Sequence, residues 1–283
     1  MDNEPVMFDA ATHMPLIGVD FTSVPSRRKP ITVAHGQLEG GVLRLARIDA
    51  LSDFASFEAL LRDGPWLGAF DFPFGLPRVF VDALDLGADI DAVITELQRR
   101  CPTRMDFRAC VDGWGNAQAA GQRLIHRATD RAQPGVSSTS PLQTRYVPVG
   151  FMFYEGVSRL VRAGVTMPQM RADDLSRIAL EGYPGLLAFE LLGRRSYKNG
   201  DTPEHRDARR GIVRALRDGA TRLKLRLVLS DALAQRLHAD AAGDLLDAVL
   251  CLMQAAWAKT RSGYGLPANI DPVEGWIVTA GAP

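Results

Sequence analysis

The chain has little cysteine, no net charge and no long hydrophobic run. Cys101, Cys110 and Cys251 are odd in number and widely spaced, which argues against a disulfide framework or a thiolate zinc site. We therefore expect buried, reduced thiols. The 33 basic and 33 acidic residues cancel, so no overall field draws the protein to nucleic acid or anionic lipid. The start of the sequence lacks a cationic stretch followed by an apolar one, which predicts no signal peptide, no membrane span and a cytoplasmic location.

Common signatures of hydrolytic chemistry are also missing. None of the five histidines stands at a ligand spacing from another histidine or from a cysteine, which argues against a zinc hydrolase. The sequence contains neither a serine nucleophile elbow nor a Walker A loop. What remains is an ordinary composition, 46% hydrophobic and 23% charged over 283 residues, which predicts a single domain spanning residues 1–283.

Four apolar segments early in the chain predict β-strands. They run from Leu16 to Asp20, from Ile31 to His35, from Val42 to Arg47 and from Trp66 to Asp71. The first three follow one another without a helix and predict an antiparallel meander. A helix capped by Ser52 and running through Leu61 precedes the fourth, which we expect to be a central parallel strand reached by a crossover.

The rest of the chain is typical of helices with few further strands. Residues 78–171 predict a helical insertion, which is followed by a fifth strand from Ser176 to Tyr183. Later helices are predicted over Gly185–Leu192, Thr202–Asp218, Asp231–His238 and Asp244–Lys259, and Trp276–Thr279 is a candidate closing strand. The order of elements predicts an α/β fold.

Carboxylates recur at the ends of these apolar segments. Asp20 ends the first strand, Asp71 ends the fourth and Glu181 lies near the end of the fifth. Asp244 and Asp247 share one face of a helix that is otherwise apolar nearly all round. Singly, each acid has an ordinary explanation as a cap, a first-turn acid or, for Glu181, the partner of an arginine. Jointly they predict a centre for one or two Mg²⁺ or Mn²⁺ ions, because burying so many carboxylates without a cation is costly.

Basic residues form one local stripe. Arg206, Arg210, Arg214 and Arg217 recur at three- and four-residue spacing on the predicted helix that begins after Thr202. With Lys198, this stripe is the best candidate for binding substrate phosphates, and Lys198, Arg206 and Arg210 are the first residues we assign to that role. The alternative is a solvated helix face whose arginines pair with local acids.

Five segments resemble a known family. They are Ile17-Gly18-Val19-Asp20, Phe70-Asp71-Phe72-Pro73-Phe74-Gly75-Leu76-Pro77, Glu181-Gly182-Tyr183-Pro184, Tyr197-Lys198 and Asp244-Leu245-Leu246-Asp247-Ala248. As an ordered set spanning most of the chain, they resemble the domain-of-unknown-function family 429, regarded as predicted nucleases of ribonuclease H-like fold.

The resemblance implies a ribonuclease H-like core with a five-stranded mixed sheet, in which strands one to three are antiparallel and helices flank the sheet. It also implies an acidic centre at strands one and four and at the last helix. Asp20, Asp71, Asp244 and Asp247 would be the metal ligands, with Glu181 as an extra acid. The implied activity is phosphodiester hydrolysis by a two-metal carboxylate centre, acting on nucleic acid.

Two other functions remain open from the sequence. The segment from Gly18 to Ser23 also resembles the first phosphate loop of the sugar-kinase and actin-like ATPase superfamily, which would mean phosphoryl transfer from ATP. Against it, the chain has one such core where two are expected. The third possibility is a non-catalytic binding protein, in which the acids hold a structural ion and the helical insertion binds a partner.

Overall fold

A seven-stranded mixed sheet organises the part of the chain that the computed structural model describes, residues 14–281. The strands are β1 (Leu16–Asp20), β2 (Ile31–Glu39), β3 (Val42–Leu51), β4 (Trp66–Asp71), β5 (Val165–Thr166), β6 (Asp174–Glu181) and β7 (Arg226–Val228). Their order across the sheet is β5-β6-β4-β1-β2-β3-β7. The amino-terminal residues 1–13, which include His13 and to which the prediction of no signal peptide applies, lie outside the described residues.

Helices cover both faces of this sheet. They are α1 (Phe54–Arg62), α2 (Arg78–Ala83), α3 (Ile90–Arg100), α4 (Arg104–Asn116), α5 (Val149–Arg162), α6 (Pro184–Leu192), α7 (Pro203–Asp218), α8 (Asp231–Ala239) and α9 (Asp244–Lys259). The side chains of β1 alternate between two hydrophobic clusters, so Leu16 packs on the side of α7 to α9 and Ile17 on the side of α1 to α5. None of the helices within residues 14–281 combines the length and apolarity needed to cross a bilayer.

The predicted strand directions are confirmed. β1 and β2 are antiparallel, as are β2 and β3, whereas β4 runs parallel to β1. The expectation of five strands is wrong, because the described chain forms seven. The five expected strands occupy the middle of the sheet in the order β3-β2-β1-β4-β6, and the short strands β7 and β5 extend its two edges.

Two local predictions are also wrong. Trp276–Thr279 forms no strand, and its one contact of that kind is an isolated bridge from Ile277 to Glu181. The cap of α1 is Asp53 rather than Ser52, since the Asp53 side chain accepts a hydrogen bond from the Ser56 amide at 2.8 Å. Residues 78–171 contain α2 to α5 and β5, and their description as an insertion into a ribonuclease H-like domain stays a prediction.

Gly18 lets α9 approach the sheet closely. A Cβ atom at this position would lie 2.1 Å from the Leu252 amide nitrogen and 2.2 Å from the Ala248 carbonyl oxygen. Both are backbone atoms, so no side-chain rotation can relieve the clash. The absence of a side chain at Gly18 thus sets the distance between the sheet and α9.

We expect Gly18→Ala to destabilise the protein by about 1–3 kcal/mol, the usual range for overpacking a close-packed interior. Urea unfolding followed by circular dichroism measures the change. Gly113→Ala is the matched control, because Gly113 lies in α4 and a Cβ there would meet nothing within 4 Å. That control should gain about 0.5–1 kcal/mol from helix propensity. Equal midpoints for Gly18→Ala and the wild type would contradict the proposed close packing.

Candidate metal centre

Asp20 and Asp71 lie side by side at the carboxyl ends of two central strands. They are the last residues of β1 and β4, and the parallel register pairs them directly. Both strands are apolar and buried up to these acids, so burial fixes the register that brings the two carboxylates together. In open α/β sheets this edge, outside the carboxyl ends of the parallel strands, is where ligands bind.

Asp247 joins them from the first turn of α9. This helix packs across β1 and β4, which places its amino-terminal turn over the ends of the two strands. One oxygen from each of Asp20, Asp71 and Asp247 lies within 4.8 Å of the other two. Asp20 and Asp247 are buried, with exposed fractions of 7% and 2%, whereas Asp71 is half-buried. Three carboxylate oxygens at this spacing can share a single cation.

The first two of these acids lack a hydrogen-bond donor. Among the described residues, none donates a hydrogen bond to the carboxylate of Asp20 or Asp71. Burial and then the neighbouring charge of Asp247 raise the pKa of Asp71 to about 7. Burial also raises the pKa of Asp20 well above its ordinary value, with further contributions from Asp247 and Asp71. A site that holds like charges together in this way favours either a proton or a cation.

Asp247 is held by two neighbouring side chains. The Tyr197 hydroxyl donates to Oδ1, and the Lys198 Nζ lies 2.6 Å from Oδ2. Burial raises the pKa of Asp247 and Lys198 opposes that effect. Arg209, fully buried in α7, donates to the Tyr197 carbonyl at 2.9 Å and to the Gly200 carbonyl at 3.0 Å. The arginine therefore fixes the loop that carries both partners of Asp247.

Asp244 lies at the edge of this group. It lines the same cavity, but it is not among the three acids whose oxygens meet. Its Oδ1 is 2.6 Å from the Nζ of Lys29, which reaches it from the loop between β1 and β2. The structure therefore separates the four predicted ligands into a close group of three and a fourth that forms an ion pair.

Glu181 is engaged elsewhere. Its Oε2 accepts from Arg127 at 2.8 Å and from the Phe74 amide at 2.9 Å, and its Oε1 forms a second bond to the same guanidinium. Arg127 also contacts Asp130 at 2.8 Å, and all three side chains are buried. Burial raises the pKa of Glu181, an effect that the guanidinium opposes. Its contacts are those of an acid that anchors the segment around Arg127 to the sheet.

A cavity of about 420 Å³ opens above the acids, a volume within the range of small-ligand sites. Its lining includes the three aspartates with Lys29 and Lys198. Apolar residues, among them Phe72, Val147 and Met152, also line it. The pocket thus combines anionic, cationic and hydrophobic groups.

The predicted arginine stripe lies apart from this cavity. Arg206 and Arg210 are not among its lining residues. Arg206 donates from Nε to Asp201 at 2.8 Å, and Arg210 lies 3.2 Å from Asp207, both at exposed positions. Of the three residues assigned to substrate binding, the structure brings Lys198 alone to the acids, and a phosphate-binding role for the other two stays a prediction.

Three residues that line or support the site were missed by sequence reasoning. Lys29 follows two arginines in an irregular loop, and no pattern indicates which of the three points inward. Arg127 lies in a segment without periodicity. Arg209 could have been found, because it shares the buried face of α7 with Ile212 and Leu216, where a charged residue needs partners.

Comparison with known families matches residues 18–271 to the family described as "Protein of unknown function (DUF429)". The matched range includes all three aspartates of the centre together with Lys29, Arg127 and Lys198. No curated protein and no solved structure matches the chain in comparisons of the same kind. Because the match covers most of its length, the chain belongs to the DUF429 family.

Proposed function

We propose that the protein is a divalent-metal-dependent nuclease that hydrolyses phosphodiester bonds at the Asp20, Asp71 and Asp247 centre. The observation that carries the proposal is the meeting of these three carboxylates, two of them without a hydrogen-bond donor, beside a lysine in a cavity. The donor set consists of carboxylate oxygens, which suit Mg²⁺ or Mn²⁺ better than softer metals.

The middle of the sheet supports the ribonuclease H-like assignment. Strands β3, β2 and β1 are antiparallel, β4 and β6 follow in parallel, and the acids stand at β1, β4 and the last long helix. This is the arrangement that the resemblance implies for a nuclease. The kinase-like alternative shares the phosphate-loop segment at Gly18 but is supported by no further contact.

Each side chain of the centre has a definable task. Asp20, Asp71 and Asp247 would hold the cation, and a bound Mg²⁺ or Mn²⁺ supplies positive charge to the phosphate and orients an attacking water. Lys198 shares the cavity and can bind a phosphate oxygen through its ammonium group. Tyr197 holds Asp247 in a fixed orientation through its hydroxyl.

Hydrolysis tests this proposal. We expect Mn²⁺-dependent cleavage of bis(p-nitrophenyl) phosphate, or of a labelled RNA or DNA panel, and a loss of at least about 100-fold in Asp20→Asn, since even the outer partners of metal ligands cost 10–100-fold. Asp207→Asn, which removes an exposed acid outside the cavity, should keep full activity.

Two results would reject the assignment. One is cleavage that is equally fast in Asp20→Asn. The other is no cleavage of any substrate together with thermal stabilisation by ATP, which would favour the kinase-like alternative.

A further inference from the structure

Two lysines enter the acidic centre from separate loops. Lys29 comes from the loop between β1 and β2 and binds Asp244, whereas Lys198 comes from the loop between α6 and α7 and binds Asp247. Both Nζ to carboxylate distances are 2.6 Å. Lys198 is half-buried and Lys29 is exposed, and both side chains line the cavity itself. The chain therefore supplies two cations of its own at the place where a metal would bind.

These lysines reduce the positive charge that a bound ion must supply to the centre. The four aspartates at positions 20, 71, 244 and 247 carry four negative charges when ionised, and the two ammonium groups neutralise two of them. The remaining two charges belong in effect to Asp20 and Asp71, which have no donor among the described side chains. A single divalent cation balances that remainder, whereas two divalent ions would leave an excess of positive charge beside buried carboxylates, where water screens charge poorly.

The oxygen atoms that remain free to bind a metal also indicate a single ion. A two-metal site holds its ions about 3.5–4 Å apart and needs carboxylates on both. Asp244 lies outside the close group of three and its Oδ1 contacts Lys29, and the Oδ2 atom of Asp247 contacts Lys198. Glu181 gives both oxygens to Arg127. The close group of three aspartates is thus the part of the described centre that remains open to an ion.

We propose that the centre binds one divalent cation and that Lys198 takes the role of a second ion by binding the substrate phosphate, with Lys29 neutralising Asp244. This rests on the proposed nuclease function and replaces the two-metal arrangement that the family resemblance implies. On metal binding, Lys198 gives up part of its contact with Asp247 and its ammonium group turns to the phosphate. A lysine suits this exchange because it is a point charge on a flexible stem.

Metal binding can be measured without turnover. We expect Mn²⁺ titration by calorimetry to give one ion per chain in the wild type, and the electron paramagnetic resonance spectrum to be that of an isolated ion. Lys198→Met removes the competing cation, so we expect Mn²⁺ to bind about tenfold more tightly or more, while phosphodiester cleavage falls by at least about tenfold. A residue with a merely structural role would not move binding and cleavage in opposite directions.

Two controls and a second variant complete the test. Lys198→Arg keeps the charge and should keep the wild-type Mn²⁺ affinity. Lys224→Met removes an exposed lysine outside the cavity and should change neither quantity. Lys29→Met provides a second variant if Lys198→Met fails to fold, and it should also tighten Mn²⁺ binding.

The outcomes separate this inference from the proposed function. Two Mn²⁺ ions per wild-type chain with a coupled spectrum would overturn the single-ion centre even if cleavage is observed. Weaker Mn²⁺ binding in Lys198→Met and Lys29→Met would overturn the role of the lysines. One ion per chain with tighter binding in both variants, but no cleavage of any substrate, would support the single-ion centre and reject the nuclease. No Mn²⁺ binding at all would overturn both proposals.

Discussion

Arg127→Met is expected to destabilise the protein by about 3–5 kcal/mol, the usual cost of breaking a buried ion pair by removing one partner. The substitution leaves Glu181 and Asp130 as buried carboxylates without their cation. It also removes a hydrogen bond of 2.8 Å to the Glu274 carbonyl, which ties the same arginine to the last part of the described chain. Urea unfolding at pH 7 measures the loss.

The stability lost in Arg127→Met should become smaller as the pH falls. Burial raises the pKa of Glu181 and Arg127 opposes that rise; without Arg127 this pKa should rise further, so the folded variant would bind a proton that its unfolded chain does not. Its stability should then increase as the pH falls from 7 towards 5, and the gap from the wild type should narrow. Adding Glu181→Gln to Arg127→Met should recover part of the loss, because it removes one of the two uncompensated charges.

An exposed ion pair provides the matched comparison. Arg62 lies 3.4 Å from Glu58 and is largely exposed, so Arg62→Met should leave the unfolding midpoint close to that of the wild type. If Arg127→Met and Arg62→Met unfold at the same urea concentration, the ion pairs of Arg127 with Glu181 and Asp130 do not anchor the segment around Arg127 to the sheet.

The elements that the sequence predicts best are those whose burial is uniform. β1, β4 and α9 have the same bounds in the structure as in the prediction, because apolar runs with acids at one end leave few alternatives. The same runs carry Asp20, Asp71 and Asp247, so three of the five predicted acids meet. Their meeting follows from strand register and from the position of α9, both of which depend on the apolar residues around them.

The parts that the sequence could not predict depend on tertiary contacts. β5 has two residues and β7 has three, which is too short for any alternation of polar and apolar residues to appear. Trp276–Thr279 has the apolar character of a strand, yet Ile277 packs instead against Leu186 and Ala280. The cations that pair with Asp244 and Glu181 come from irregular loops, where no periodicity indicates the direction of a side chain.

Asp71→Asn is expected to make the metal-free protein more stable. The pKa of Asp71 rises from an ordinary value of 3.8 to about 7 in the folded chain, chiefly through burial and then through the charge of Asp247. At about 1.4 kcal/mol per pKa unit, this sets an upper limit of about 4 kcal/mol on the cost of the ionised carboxylate above pH 7. We expect Asp71→Asn to recover about half of that limit, measured by urea unfolding with EDTA at pH 8.

The pH dependence follows from the direction of the shift. Between about pH 4 and pH 7 the folded wild type holds a proton that the unfolded chain has lost, so the stability of the metal-free wild type falls as the pH rises through this interval. The asparagine variant lacks this proton, and its advantage should therefore shrink as the pH is lowered from 8 to 4. Asp207→Asn, at an exposed position outside the cavity, should show no gain at any of these pH values.

With Mn²⁺ bound, the wild type should become more stable than Asp71→Asn. At a concentration 100 times the dissociation constant, a bound ion stabilises the folded wild type by about 2.7 kcal/mol, and Asp71→Asn should gain much less because it has lost one of three ligands. An asparagine variant that is less stable than the wild type in EDTA at pH 8 would show that the aspartate is compensated within the protein. If Asp71→Asn is more stable than the wild type in EDTA but less stable in Mn²⁺, the fold tolerates the mutual repulsion among Asp20, Asp71 and Asp247 because a bound cation relieves it.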